Sequence, residues 1–462
     1  MLTYDFENID GPIYMHLYQC IKNDILSGVL RPGAKLPSKR AFANNNGIST
    51  ITIQNAYDQL ISEGYIFAIQ KKGYYVSNIE GMSVKLEKAD IKYDIRIPEK
   101  EAYDCDLSAN GIHSENFPFS VWARLSRAVM ADQKEALMQI APSAGVMELR
   151  EAIANHLKSF RGMLVDPDQI VVGAGTEYLY GLIIQLLGKD KIYTIENPGY
   201  RKLAEIYKQQ EVICRYASMD DYGVSVGSLK EHGADVAHIC PNHHFPTGIT
   251  MPASRRYEVL AWANEQNGRY IIEDDYDSEF RSEGKPIPTL FSIDACEKVI
   301  YMNTFSKSLS PTIRISYMVL PVHLVNEFYR TLSFYSCTVS NFEQYTLSQF
   351  IRQGYFEKHI NRMRLYYSRQ RKKLIEIIEN SPLGEKCRIR ENDSGLHFLI
   401  KLETELSDAE VENRMKERGI KIKALSDYYF SEQEKQHRFI INYSNLDEEK
   451  FREAVHVMGE IL

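Results

Sequence analysis

The chain has 462 residues, 44% of them hydrophobic and 25% charged, with a formal net charge of −7. That length implies two or three domains, and the acidic balance excludes a protein that coats nucleic acid along its whole length, so any DNA contact must come from a local basic patch. No apolar run reaches membrane-spanning length, residues Met1 to Glu7 lack a basic and apolar signal pattern, and the seven cysteines (Cys20, Cys105, Cys214, Cys240, Cys296, Cys337, Cys387) contain no CxxC pair, so no metal site, disulfide framework or membrane contact is expected and a reducing cytoplasm fits best.

Pro12 to Leu30 reads as an amphipathic helix with Ile13, Leu17, Ile21 and Ile25 on one stripe, ended by Arg31-Pro32-Gly33. Leu36-Pro37-Ser38 opens a second, short helix with Ser38 as its N-cap. Asn44-Asn45-Asn46-Gly47 reads as a tight turn. Ser49 caps a third helix, Thr50 to Ser62, with Ile53, Ala56, Tyr57 and Leu60 as its buried face. Tyr65 to Ile69 and Tyr74 to Val76 are two short strands joined by Gln70-Lys71-Lys72-Gly73.

Helix, helix, turn, helix and a basic-tipped hairpin make a winged helix-turn-helix plan. The third helix would enter the major groove with Thr50, Thr52, Gln54 and Asn55, while Lys35, Lys39, Arg40, Lys71 and Lys72 reach phosphates, and Ser38, Ser49 and Gly73 shape the ends that carry them. Residues 31 to 78 hold six basic and two acidic side chains, a local +4 in an acidic chain. Leu36-Pro37-Ser38-Lys39-Arg40, Ala56-Tyr57-Asp58-Gln59-Leu60 and Glu63-Gly64-Tyr65 resemble the GntR family of bacterial regulators. That family usually has Arg after the capping Ser; here the position is Thr50.

Residues 79–102 mix charges without a clean period and read as a solvated linker with one short amphipathic stretch, Val84 to Lys92. The expected boundaries are thus 1–78 for the DNA-binding domain, 79–102 for the linker and 103–462 for the body.

From Tyr103 strands alternate with helices, which predicts an α/β domain with a mostly parallel sheet. Ile170-Val171-Val172 runs into Gly173-Ala174-Gly175-Thr176, a Gly-rich turn opening an apolar helix, which suits an anion. Ile192 to Ile195 leads to Asn197-Pro198-Gly199-Tyr200, where an aromatic ring can stack on a flat cofactor. Tyr270-Ile271-Ile272 runs into Glu273-Asp274-Asp275-Tyr276. A carboxylate there, Asp274 being the choice, would hold a pyridine nitrogen protonated, with Tyr276 beside it; a helix cap or a metal site are the other readings of such an acidic strand end. Val299 to Met302 leads to Thr304-Phe305-Ser306-Lys307, with Arg314 seven residues on: a Lys for a Schiff base among groups that hold a phosphate.

Together these elements resemble the fold type I aminotransferases, over roughly residues 105–462. The resemblance implies pyridoxal 5′-phosphate bound as an aldimine on Lys307, Asp274 at the ring nitrogen, Tyr200 stacked, and Ala174, Gly175, Thr176, Thr304, Ser306 and Arg314 around the phosphate. The usual Asn-Pro-x-Gly turn is replaced by His243-His244-Phe245-Pro246-Thr247-Gly248, with Phe245 in the Asn position. Where a substrate-carboxylate Arg is expected the chain is apolar; Arg438 and His397 are the candidates for contacting an effector. A GntR-like head on such a body, the altered turn, and the Glu273-to-Phe280 run resemble the MocR family. That implies a cytoplasmic transcription regulator that binds promoter DNA, senses the cofactor or an amine or amino acid, and forms a head-to-tail homodimer. An active aminotransferase with a regulatory head is the alternative.

Overall fold

The computed structural model describes residues 2–6, 11–79, 95–99, 101–281, 287–390, 395–431 and 436–462. It divides into two compact units at Glu99 and Lys100. Most of the expected linker, including the stretch Val84 to Lys92, lies outside the described residues.

In the first unit, helices α1 (Ile13–Leu26), α2 (Lys39–Asn46) and α3 (Thr50–Ser62) precede a hairpin of β1 (Ile66–Ile69) and β2 (Gly73–Val76). Leu17, Ile21 and Ile25 pack with Phe42, Tyr57 and Leu60 in one core. Three local expectations are corrected. Helix α1 stops at Leu26, not Leu30, because Gly28 turns to φ +79° and its N–H caps the Ile25 carbonyl. Ile13, in the first turn, is 42% exposed rather than buried. Asn44 to Asn46 complete α2 rather than forming a turn, and Gly47 in the left-handed region ends it.

Ser38 and Ser49 cap α2 and α3 by accepting from the Ala41 and Thr52 N–H groups. The Tyr57 hydroxyl donates to the Pro37 carbonyl at 3.0 Å, which ties α3 to the start of α2. Lys35 pairs with Tyr75 as an isolated bridge, so the entry to α2 runs along the hairpin.

The second unit carries β3 (Cys105–Asp106), β4 (Ile170–Gly173), β5 (Ile192–Asn197), β6 (Ile213–Asp220), β7 (Gly223–Val224), β8 (Val236–Ile239), β9 (Tyr270–Asp274), β10 (Val299–Thr304) and β11 (Ser316–Val319), followed by β12 (Cys387–Arg390), β13 (His397–Leu402), β14 (Ile420–Lys421), β15 (Lys423–Ala424) and β16 (Arg438–Asn442). The main sheet has the order β4-β11-β10-β9-β8-β5-β6-β7. Its neighbours from β10 through β9, β8 and β5 to β6 are parallel, whereas β11 runs against both of its neighbours and β7 against β6. Both faces are covered: Val171, Ile272, Ile300 and Met318 pack under the helix Thr176–Leu187, and Val172, Tyr301 and Tyr317 share a second core with the long helix Tyr355–Glu379. That is why these strands are near-continuous apolar runs with no polar alternation. A smaller antiparallel sheet, β12-β13-β16-β15, presents Phe398 and Ile441 to the same second core.

The parallel strands end together on one edge of the main sheet. Polar residues follow at once: Gly175 after β4, Gly199 and Tyr200 after β5, Cys240 after β8, Asp274 closing β9, and Lys307 after β10. Ligands of α/β sheets bind at that carboxyl edge.

Candidate functional site

These five strand ends line one cavity of about 450 Å³, and Asn442 and His397 of the smaller sheet close it. Lys307 lies in a single helical turn, Phe305–Ser308, capped by the Thr304 hydroxyl. Burial holds its amine below the ordinary lysine value, with the nearby Asp277 carboxylate opposing that shift.

Side-chain alternation along β9 sorts the three acids. Glu273 points away from the cavity and accepts from the Leu290 and Phe291 N–H groups, both at 2.9 Å, so the helix-cap reading holds for this residue. Its burial pushes it up to about 7. Asp275 accepts from the Tyr301 hydroxyl and from Asn242, and pairs with the buried Arg161 guanidinium. Asp274 alone of the three lines the cavity. Its Oδ2 accepts from the Tyr180 hydroxyl at 2.7 Å and lies 3.4 Å from His238 Nε2, while Oδ1 is buried with no partner. A buried carboxylate oxygen facing a cavity without a donor fits a protonated ring nitrogen. Among the described residues no group of three or more His, Cys, Asp or Glu side chains is placed to hold a metal.

At the other end of the cavity, Gly175 takes φ +91° and starts the helix Thr176–Leu187 with no side-chain cap. A Cβ on Gly175 would sit 2.5 Å from the Arg314 guanidinium. The uncapped helix N-terminus, Arg314 and the Ser306 hydroxyl make a corner that could hold a phosphate, whereas the Thr304 hydroxyl beside them donates to the Ile315 carbonyl and accepts from the Ser306 N–H and the Ser316 hydroxyl. Arg314 is paired with Glu177 at 3.4 Å, and Lys202 pairs with the same carboxylate. Ala174 is placed differently from the rest of the expected set. It is not among the lining residues, and its N–H donates to Thr338 Oγ1 at 3.0 Å.

Tyr200 lines the cavity and meets Phe245 edge-on at 6.1 Å. Tyr276 also lines it, but its hydroxyl donates to the His243 carbonyl at 3.0 Å. His243 Nδ1 lies 2.9 Å from Asp277, and His244 Nδ1 lies 2.7 Å from the Thr247 hydroxyl, so both members of the His pair are engaged within their own turn and strand end. Burial pushes His244 down to about 3. His397 lines the cavity with Nε2 3.1 Å from the Pro246 carbonyl, and burial followed by the neighbouring His243 keeps it well below its ordinary value. Arg438 does not join it. It begins β16 opposite Lys401, and the cavity is at the other end of that strand, at Asn442. The four residue steps from Arg438 to Asn442 span about 13 Å of extended chain.

Sequence reasoning missed Tyr180, His238, Glu196 and Asp277, all cavity-lining. Tyr180 carried a usable signal: it follows Thr176 by four residues, one helical turn above the Gly-rich cap. Glu196 is the last inward side chain of β5. It accepts from the Cys240 N–H at 2.9 Å, and burial followed by the neighbouring Asp274 pushes it up to about 8.

In the first unit, Lys35, Arg40, Lys71 and Lys72 are exposed, and Lys71 takes φ +61° at the hairpin tip next to Gly73. Thr50, Gln54 and Asn55 are exposed on α3, but Thr52 is half-buried with its hydroxyl 2.8 Å from Ser49 Oγ. Ile51, an apolar residue overlooked for that reason, is 70% exposed and shares the face of Gln54 and Asn55.

Residues 105–458 match the family described as Aminotransferase class I and II, and residues 13–76 match Bacterial regulatory proteins, gntR family. The HTH-type transcriptional regulator YdeL of Bacillus subtilis, itself uncharacterized, is 36% identical over 91% of this chain and 90% of its own length. The probable rhizopine catabolism regulatory protein MocR of Rhizobium meliloti is 28% identical over 99% of this chain and 94% of its own. Among solved structures, the Pyrococcus horikoshii kynurenine aminotransferase is 23% identical with a TM-score of 0.69, covering 82% of this chain and 98% of that one, a likeness of fold. With both matches in one chain, a winged helix head and a pyridoxal phosphate-dependent fold type I body, the protein belongs to the MocR family of HTH-type transcriptional regulators.

Proposed function

We propose that this protein is a cytoplasmic transcription regulator that holds pyridoxal phosphate through Lys307 and reports the arrival of an amine at that site to its DNA-binding head. The observation that carries this reading is the meeting of Lys307, the unpartnered Asp274 oxygen and the Gly175–Arg314 corner in one cavity. When bound, pyridoxal phosphate supplies an aldehyde carbon for Lys307 and a ring that takes up electron density. Lys307 Nζ, less basic for being buried, would supply the amine for that bond. Asp274 Oδ1 would hold a proton at the ring nitrogen while Tyr180 fixes the other carboxylate oxygen, and Arg314 with the helix N-terminus would hold the phosphate. Tyr200, which lines the cavity, would supply the aromatic face beside the ring.

An amine that takes the place of Lys307 at the cofactor's aldehyde carbon would free the lysine side chain. If the two body states differ in how the head meets promoter DNA, the amine shifts DNA affinity by its differential binding free energy, and DNA shifts amine affinity by the same factor. The head would read the major groove through Thr50, Gln54 and Asn55 and hold phosphates with Lys35, Arg40, Lys71 and Lys72. A head-to-tail homodimer is part of the same proposal. The test is spectroscopic. Protein loaded with pyridoxal phosphate should show the absorption band of the lysine-linked cofactor, and Lys307→Ala should abolish it while promoter DNA is still bound. A band that survives Lys307→Ala would overturn the assignment. Rapid multiple turnover of an amino donor and a keto acceptor would instead make the body a working aminotransferase.

A further inference from the structure

Helix α3 contains neither Lys nor Arg in its thirteen residues, Thr50–Ser62. At about 100° per residue, Ile51, Gln54, Asn55 and Asp58 share one exposed face, opposite the buried Ile53, Ala56, Tyr57 and Leu60. Single apolar side chains on a protein surface are common. Ile51 stands apart by its place: it is 70% exposed at the second position of α3, in the turn that Ser49 caps. The N-terminal residues of a recognition helix are those that meet base edges. The cations of the head lie on other elements. Lys39 and Arg40 are at the start of α2, which the Tyr57–Pro37 hydrogen bond ties to α3, and Lys71 and Lys72 are at the hairpin tip.

The base edges of the major groove differ in what they match. Guanine is most often read by a bidentate Arg or Lys, and α3 offers neither. Adenine presents N7 as acceptor and the N6 amino group as donor, which a Gln or Asn amide matches in two hydrogen bonds. Its partner, thymine, carries the apolar group of this edge, the C5-methyl. A branched aliphatic side chain one turn before two exposed amides, Gln54 and Asn55, is therefore the complement of A·T pairs. Contact between Ile51 and the methyl takes apolar surface of both out of water. Asp58, about two turns further along, carries the sign of the phosphates and keeps the close approach to the first turns of the helix.

We propose that Ile51 reads the C5-methyl group of a thymine in the operator, beside an adenine edge held by Gln54 or Asn55. This rests on the reading that α3 enters the major groove.

The test uses the full-length protein to select from a pool of random-sequence duplexes. The selected duplex is then remade with single thymines replaced by uracil, which removes only the C5-methyl. Uracil at one of the selected thymines should weaken wild-type binding by about fourfold, the change expected for one buried methyl group. Ile51→Ala should bind the thymine and uracil forms of that duplex equally, and Ile51→Val should fall between it and the wild type. Unrelated DNA, bound alike by all three proteins, reports that the head is folded. The proposal is overturned if uracil at every selected thymine leaves wild-type binding unchanged, or if it weakens both variants as much as the wild type. In either case salt-dependent preference for the selected duplex leaves the groove-docking reading standing. Failure of the wild-type protein to select any duplex, or binding that does not weaken with salt, defeats both.

Discussion

The head and the body use the same residue types in opposite ways. In the head the lysines proposed to meet DNA stand in water: Lys71 and Lys72 are exposed at a hairpin tip, and Lys35 is exposed beside Tyr75. A charge in water costs nothing to keep, and it is what a phosphate backbone requires. In the body burial makes charge expensive, so groups drift toward their neutral forms: Lys307 becomes less basic and Glu196 is pushed up to about 8. The lysines proposed to meet DNA phosphates and the lysine proposed to bond the cofactor thus differ in surroundings, not in chemistry.

The ion pairs of the two regions should differ as sharply. Arg161 and Asp275 are paired with side chains only 2% and 1% exposed, while Lys22 and Glu63 of the head are paired at 24% and 29% exposure. Removing one partner of a buried pair leaves an uncompensated charge, so Arg161→Met should destabilise the body by about 3–5 kcal/mol. Lys22→Met should cost about 1 kcal/mol or less. Urea denaturation of the two variants checks this, and equal losses would erase the proposed difference. Asp275→Asn added to Arg161→Met should recover part of the loss.

The contrast also explains what could be read from the sequence. The head was legible because its signals are local. Ser38 and Ser49 cap their helices as their positions suggested, and the buried face of α3 is the expected Ile53, Ala56, Tyr57 and Leu60. The errors there were also local, at Gly28 and in the Asn run before Gly47, where a helix end had to be guessed from one or two residues. In the body the strands were legible as apolar runs, and the residues singled out after them, Ala174 excepted, line one cavity. The supporting residues were not. Tyr180 meets Asp274 across 94 positions, and Arg161 meets Asp275 across 114, contacts that exist only once strand order and register are set. Arg438 was misjudged for a related reason: the strand was found, but not which of its ends faces the cavity.

A smaller effect should come from Asp274→Asn, which keeps the shape and the Tyr180 contact but removes the charge at the cavity. A hydrogen bond to a charged group contributes about 1.5–3 kcal/mol, so affinity for pyridoxal phosphate should fall by about tenfold to a hundredfold. Equilibrium dialysis measures it. A change under about twofold would mean that Asp274 does not meet the ring nitrogen.

The smallest effects should come from the head, and they should be distinguishable by kind rather than by size. Each lysine that neutralises a phosphate releases a counterion, so the slope of log affinity against log salt should become shallower by about 0.9 for each such lysine removed. Lys71→Ala and Lys72→Ala should each do this, and should weaken promoter and unrelated DNA by the same factor, because phosphate contacts carry no sequence information. Thr50→Ala or Asn55→Ala should leave the slope alone and narrow the gap between promoter and unrelated DNA. Lys189→Ala, exposed on the body, should change neither. A hairpin variant that alters specificity without altering the salt slope would show that Lys71 and Lys72 read bases, and the division of labour between α3 and the hairpin would have to be redrawn.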